Sequence, residues 1–201
     1  MLKKIHYAAP IVLVMLCLSA LASCSSEAAI EVDQSITPHD VVLKVISELG
    51  YGPADFYGSP DSEAKDQTIF EYYSEGSGDY VMDDDLFDIM LGAEAADLTL
   101  DMIDRYSVIM FDKDLSVPFE LIIFKLPKTD GKTDSGLINK VKQLFSNTLN
   151  QHKVSMKDYF DEYIPYAEKA KIKVTDNFVY YCMADKSSKV TTAVYNFLAG
   201  K

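Results

Sequence analysis

Phe119-Glu120-Leu121-Ile122-Ile123-Phe124-Lys125-Leu126 is the stretch that decides how this chain folds. Branched and aromatic side chains crowd it and Pro127 closes it, so it reads as a β-strand. Alternation along a strand sends Phe119, Leu121 and Ile123 to one face and Ile122, Phe124 and Leu126 to the other. Apolar side chains on both faces mean that each is at least partly covered. Just upstream, residues 105–111 have the same composition and read as a neighbouring strand, joined to the first across Asp112-Lys113-Asp114.

Downstream, a long helix is expected from Asp134 or Ser135 to about His152, with Leu137, Val141, Leu144, Phe145 and Leu149 as its apolar stripe. Residues 159–169 read as a short helical passage broken at Pro165. Residues 171–174 and 178–184 form a hairpin around Thr175-Asp176-Asn177, whose Asp and Asn tolerate turn geometry. A last helix over 188–198 places Val190, Ala193, Val194, Phe197 and Leu198 at helical spacing, and Gly200 stops it. Near the start, Thr37 as N-cap and Pro38 at the first helical position open a helix whose Val41, Val42, Val45, Ile46 and Leu49 share a face. Residues 52–85 are punctuated by glycine and proline and read as irregular, with a short helix over 85–91 closed by Gly92. The expected fold is α+β, an antiparallel sheet of about four strands in a strand-strand-helix-strand-strand-helix core. Helices, the N-terminal one among them, pack on the sheet in two layers.

The N-terminus carries an address. Lys3 and Lys4 precede an apolar run from Ala8 to Ala22. Fifteen helical residues reach only about 22 Å, short of the ~30 Å hydrocarbon core of a bilayer, so the run reads as an export signal. Its end, Leu21-Ala22-Ser23-Cys24, resembles the lipobox of bacterial lipoproteins. In that pathway the cysteine thiol takes a diacylglyceryl group and the chain is cut just before it. Cys17 does not fit, because Met15 and Leu16 are bulky where small residues are required. Ala20-Leu21-Ala22 also offers an ordinary secretory cleavage site, which would release a soluble protein. Lipidation is the expectation: residues 1–23 as signal peptide, Cys24 as lipid-attachment site, 24–36 as a lipidated tether and 37–201 as a single domain.

Removing residues 1–23 leaves 178 of the 201 residues and takes two lysines and no carboxylate, so the formal charge moves from −12 to −14. A chain this acidic is repelled by phosphate backbones, which argues against a nucleic-acid partner. Three cysteines exclude a disulfide-dense scaffold and a four-cysteine zinc site. Cys182, among Tyr180, Tyr181, Met183 and Ala184, reads as a small buried hydrophobe.

No spacing selects a reactive set. Asp130-Gly131-Lys132-Thr133 lacks the upstream glycine of a phosphate-binding loop, with Leu126 in its place, and reads as a turn. Asp83-Asp84-Asp85 and the Asp112/Asp114 pair lack the ligand pattern of a Ca²⁺ loop and read as a helix cap and a solvated turn. His39 and His152 fall near helix termini, outside any metal-ligand spacing. Tyr51, Tyr57, Tyr72, Tyr73 and Tyr80 suggest either core filling or a recognition surface.

Several of these segments together carry a resemblance. They are Arg105-Tyr106-Ser107-Val108, the 119–125 strand, the helix ending near Gln151, residues 159–163 and Asn177-Phe178-Val179-Tyr180-Tyr181 before a final helix. With the 37–49 helix and the lipobox, they resemble the bacterial lipoprotein family catalogued as domain of unknown function 4358. The 51–85 stretch is longer than members usually have. The resemblance implies an exported lipoprotein, supplies no activity and carries over no residue beyond Cys24. The expected protein is a domain anchored to the cell membrane by Cys24 on its extracytoplasmic face, with a protein or envelope partner and no cofactor. It acts by binding rather than catalysis. The alternatives are a small ligand-capturing lipoprotein that serves a transporter, or an envelope enzyme of unrecognised class.

Overall fold

A computed structural model describes residues 30–59, 68–111, 119–157 and 160–201. The expected signal peptide, Cys24, the first part of the expected tether, Asp112, Asp114 and Tyr159 lie outside the described residues. The elements run α1 (Pro38–Glu48), β1 (Ile69–Tyr73), α2 (Asp84–Leu91), β2 (Arg105–Phe111) and β3 (Glu120–Lys125). A small hairpin follows, β4 (Lys128–Thr129) and β5 (Lys132–Thr133), then α3 (Ser135–Met156) and α4 (Ile164–Lys169). The chain ends with β6 (Lys173–Thr175), β7 (Phe178–Met183) and α5 (Ser187–Leu198).

β3 lies at the centre of a five-stranded antiparallel sheet of order β1-β2-β3-β7-β6. All six of its residues are buried. Leu121 and Ile123 share one face with Ile69, Ile109, Phe178, Tyr180 and Cys182, beneath Val41, Val42, Val45 and Ile46 of α1 and Val190, Val194 and Leu198 of α5. Ile122 and Phe124 share the other with Tyr106, Val108, Val179 and Tyr181, beneath Phe87 and Leu91 of α2 and Val141, Leu144 and Phe145 of α3. The sheet is therefore the middle of three layers, where two were expected. Helices cross to both faces because β3 and β7 are apolar at every buried position except the two ends of β3, Glu120 and Lys125.

The expected count of about four strands falls one short because β1 lies within the 52–85 stretch, which glycine and proline mark as irregular. Glu71 interrupts its apolar pattern, yet Glu71 is only 3% exposed and faces the α1 layer opposite Ile109. α3 runs one turn past His152, to Met156. Pro165 opens α4 rather than breaking a helix, since the first helical turn needs no proline N–H. Asp130 (φ 51°) and Gly131 (φ 73°) form the two-residue turn of the β4–β5 hairpin, where both central residues must be left-handed.

Part of the expected tether belongs to the fold. Val32 is 2% exposed, and its N–H donates to Asp176 Oδ2 at 3.1 Å in the β6–β7 turn. Asn177 Nδ2 donates to Gln34 Oε1 at 3.2 Å, and buried Lys125 donates to the carbonyls of Gln34 and Ile36. Asp176 also pairs with Lys128 Nζ at 2.7 Å. Apolar burial and a polar clasp fix residues 30–36 against the ends of β3 and β7. Thr37 and Asp40 then complete a capping box on α1, each side chain accepting the other's N–H at 3.1 and 2.9 Å.

Candidate functional site

Between the edge of the sheet and the start of α5 lies an open cleft of about 370 Å³. One wall is Lys169, Lys171, Lys173, Val174 and Thr175, and the other is Ser187, Ser188, Thr191, Thr192 and Tyr195, with Tyr180 at its base. The first wall follows from alternation in Lys169-Ala170-Lys171-Ile172-Lys173. Ala170 and Ile172 pack on the α3 side of the core, which leaves the lysines on the opposite edge. Lys173 is the register partner of Tyr180 and Thr175 that of Phe178, so both sit on the face that α5 covers.

The second wall is the buried stripe of α5. Ser187 and Thr191 share it with Val190, Val194 and Leu198, so hydroxyls replace hydrocarbon where the helix meets the sheet edge. Thr191 Oγ1 donates to the carbonyl of Ser187 at 3.0 Å, and Thr175 Oγ1 and Tyr180 Oη are 3.2 Å apart. Ser187 is 6% exposed, and its hydroxyl has no hydrogen-bond partner among the described residues. No carboxylate among the described residues comes within 4.0 Å of Lys169, Lys171 or Lys173. Lys169 Nζ instead sits 6.0 Å from the centre of the Tyr166 ring. No side chain caps the first turn of α5, whose N-cap residue is Lys186.

His39 and His152 are elsewhere, each on a buried carboxylate. His39 Nδ1 lies 2.9 Å from Glu71 Oε1, which also accepts the Ser107 hydroxyl at 2.7 Å. The His39 ring stacks on Tyr73 at 4.2 Å. On the opposite face of the sheet, His152 Nε2 lies 3.0 Å from Glu120 Oε2, and Tyr181 donates its hydroxyl to Glu120. Burial opposes charge on both imidazoles, but the hydrogen bond and negative charge of the carboxylate outweigh it, and both pKa values lie above the ordinary one. His152 is thus held by Glu120, a partner that a helix-dipole reading misses. Ser107 is fully buried and its proton points to Glu71, so the imidazole does not activate it. Cys182 is fully buried as well, and burial, with the Glu120 charge, pushes its thiol pKa up.

Asp83 caps α2 by accepting the N–H of Leu86 at 2.8 Å, and Asp84 accepts that of Leu100 at 3.0 Å. The early tyrosines are half-buried. Phe70 of β1 gathers Tyr72 at 4.6 Å, Tyr80 at 5.6 Å and Tyr57 at 5.9 Å on the sheet's outer strand. Gly58 (φ 73°) is required there, since a Cβ would lie 2.2 Å from Tyr80 Oη. Sequence reasoning missed the cleft, although two signals were present: lysines alternating with apolar residues at 169–173, and hydroxyls at 187 and 191 in an apolar stripe. No family model, curated protein or solved structure matches the chain.

Proposed function

We propose that this chain is an exported domain, lipid-anchored through Cys24 on the extracytoplasmic face of the cell membrane, that works by holding a ligand in the α5–β6 cleft without transforming it. The cleft carries the reading: it has the volume of a small-molecule site and convergent polar groups on both walls. The groups best suited to general-base or nucleophilic work lie away from the cleft lining, the two partly exposed imidazoles paired with buried carboxylates and the thiol buried. The lipobox-like Leu21-Ala22-Ser23-Cys24 and the resemblance to the lipoprotein family supply the anchor. Between Cys24 and Ile30 the backbone reaches at most about 20 Å, so the docked 30–36 segment holds the domain close to the bilayer. The half-buried aromatic group at Tyr57, Phe70, Tyr72 and Tyr80 favours a second reading, a protein contact on β1.

Two expected results test this. Cys24→Ala yields an unprocessed precursor with no lipid mass, whereas the wild-type protein carries a diacylglyceryl adduct in intact-mass spectra and fractionates with membranes. A Cys24→Ala protein that is processed and stays in the membrane fraction contradicts the anchor. For the cleft, the wild-type protein and Ser188→Trp, which fills the cleft from an exposed position, are melted with amino acids, sugars, nucleotides and phosphate esters. Compounds that raise the wild-type midpoint leave the variant unmoved, and equal stabilisation of both contradicts the cleft as the site.

A further inference from the structure

We infer that the cleft is an anion site for a small phosphorylated compound carrying two or more negative charges, an inference that rests on the ligand-holding reading above. Three lysines line one wall with no carboxylate in ion-pair reach among the described residues, in a chain of formal charge −12. Clustered like charges repel, and a multivalent counter-ion relieves that repulsion.

Ser187 lines the cleft, is 94% buried by its 6% exposure, and leaves its hydroxyl unsatisfied by any described residue. That oxygen keeps contact with the solvent in the cleft, so it is free to donate to a group seated there. Ser188 and Thr192 add exposed hydroxyls on the same wall. Ser187 and Ser188 are the first two residues of α5, a 12-residue helix whose positive end no side chain covers. An anion seated here meets that end and the lysine wall together.

The donor set also selects the anion. Arginine's planar fork matches a carboxylate, and no arginine lines the cleft. Lysines act as point charges and hydroxyls as single rotatable donors, a set suited to the tetrahedral array of oxygens on phosphate. A volume of about 370 Å³ exceeds what one phosphate fills, and the lysines extend along one wall from the end of α4 into β6, so a second charged group fits beside the first. Val174 and the ring of Tyr195 offer apolar contact to the rest of the molecule.

Isothermal titration of the full mature lipoprotein in neutral detergent at about 20 mM salt tests this with four probes: inorganic pyrophosphate, inorganic phosphate, citrate and a neutral disaccharide. Pyrophosphate is expected to bind with one site per chain, at least about tenfold more tightly than phosphate or citrate. The disaccharide gives no heat. Lys171→Gln and Lys173→Gln, both at exposed positions, each weaken pyrophosphate about tenfold, as loss of one charge-assisted hydrogen bond implies. Ser187→Ala weakens it several-fold with an unchanged melting midpoint in the free protein. Citrate binding as tightly as pyrophosphate overturns the assignment to phosphate. Pyrophosphate binding indifferent to both lysine variants overturns the site. Absent pyrophosphate binding alongside neutral compounds that Ser188→Trp excludes overturns the anion inference and leaves ligand holding intact, whereas no compound distinguishing Ser188→Trp from wild type overturns both.

Discussion

Phe145→Ala lowers the unfolding midpoint by roughly 6–20 °C, the shift that about 3–5 kcal/mol produces in a domain of this size. Phe145 is fully buried in α3 and joins two parts of the core. Its ring lies 5.0 Å from Phe124 at the centre of the sheet and 5.0 Å from Tyr181 on the next strand, edge to face with the latter. Phe124 in turn meets Phe87 of α2 at 5.8 Å. Truncation removes the ring that ties α3 to β3 and β7 and leaves a void that rigid neighbours cannot close. Differential scanning calorimetry reads the effect directly, and a shift under about 3 °C contradicts this packing.

Glu120→Ala has a comparable effect, about 2–4 kcal/mol, by a different route. Glu120 is the polar residue among buried apolar neighbours, and both Tyr181 and His152 depend on it. Without the carboxylate the fully buried Tyr181 hydroxyl loses its acceptor. Glu120→Gln separates hydrogen bonding from charge, since its amide oxygen still accepts from Tyr181 while the attraction for imidazolium is lost. The pH dependence follows with a definite sign. The folded-state pKa of His152 lies above the ordinary value of 6.5, so its pairing contributes fully below that pH and is lost as pH rises through the folded value. His39 with Glu71 behaves in the same sense on the other face. Denaturant unfolding of the wild type therefore shows stability declining as the pH rises above 6.5. Glu120→Gln shows a shallower decline, and equal slopes for the two proteins contradict the pairing.

Local signals were legible in the sequence, and convergence was not. The 119–126 run announces a strand covered on both sides, and Thr37-Pro38 a helix start, because each depends on neighbours along the chain. β1 hides because Glu71 looks like a solvent residue until His39, 32 positions away, and Ser107 are seen to meet it. Glu120 and His152 are likewise 32 positions apart, so a terminal histidine reads as a dipole partner. Residues 30–36 look like a tether because their anchors, Asp176, Asn177 and Lys125, are far along the chain. The cleft is the extreme case. Lysines at 169–173 and hydroxyls at 187–192 carry no motif, and only the β6–β7 hairpin and the return of α5 bring them face to face.

Those three layers divide the work. Two apolar faces fix the sheet, two buried carboxylates hold helices α1 and α3 to it, and the edge strand β6 is left to present charge. Hydrogen–deuterium exchange on the membrane-extracted protein in neutral detergent, with and without saturating inorganic pyrophosphate, tests that assignment most directly. Exchange slows in peptides covering 169–175 and 187–192 and is unchanged in those covering 69–73 and 84–91. Protection confined to the aromatic group on β1, or none anywhere, contradicts the cleft as the place where this protein does its work.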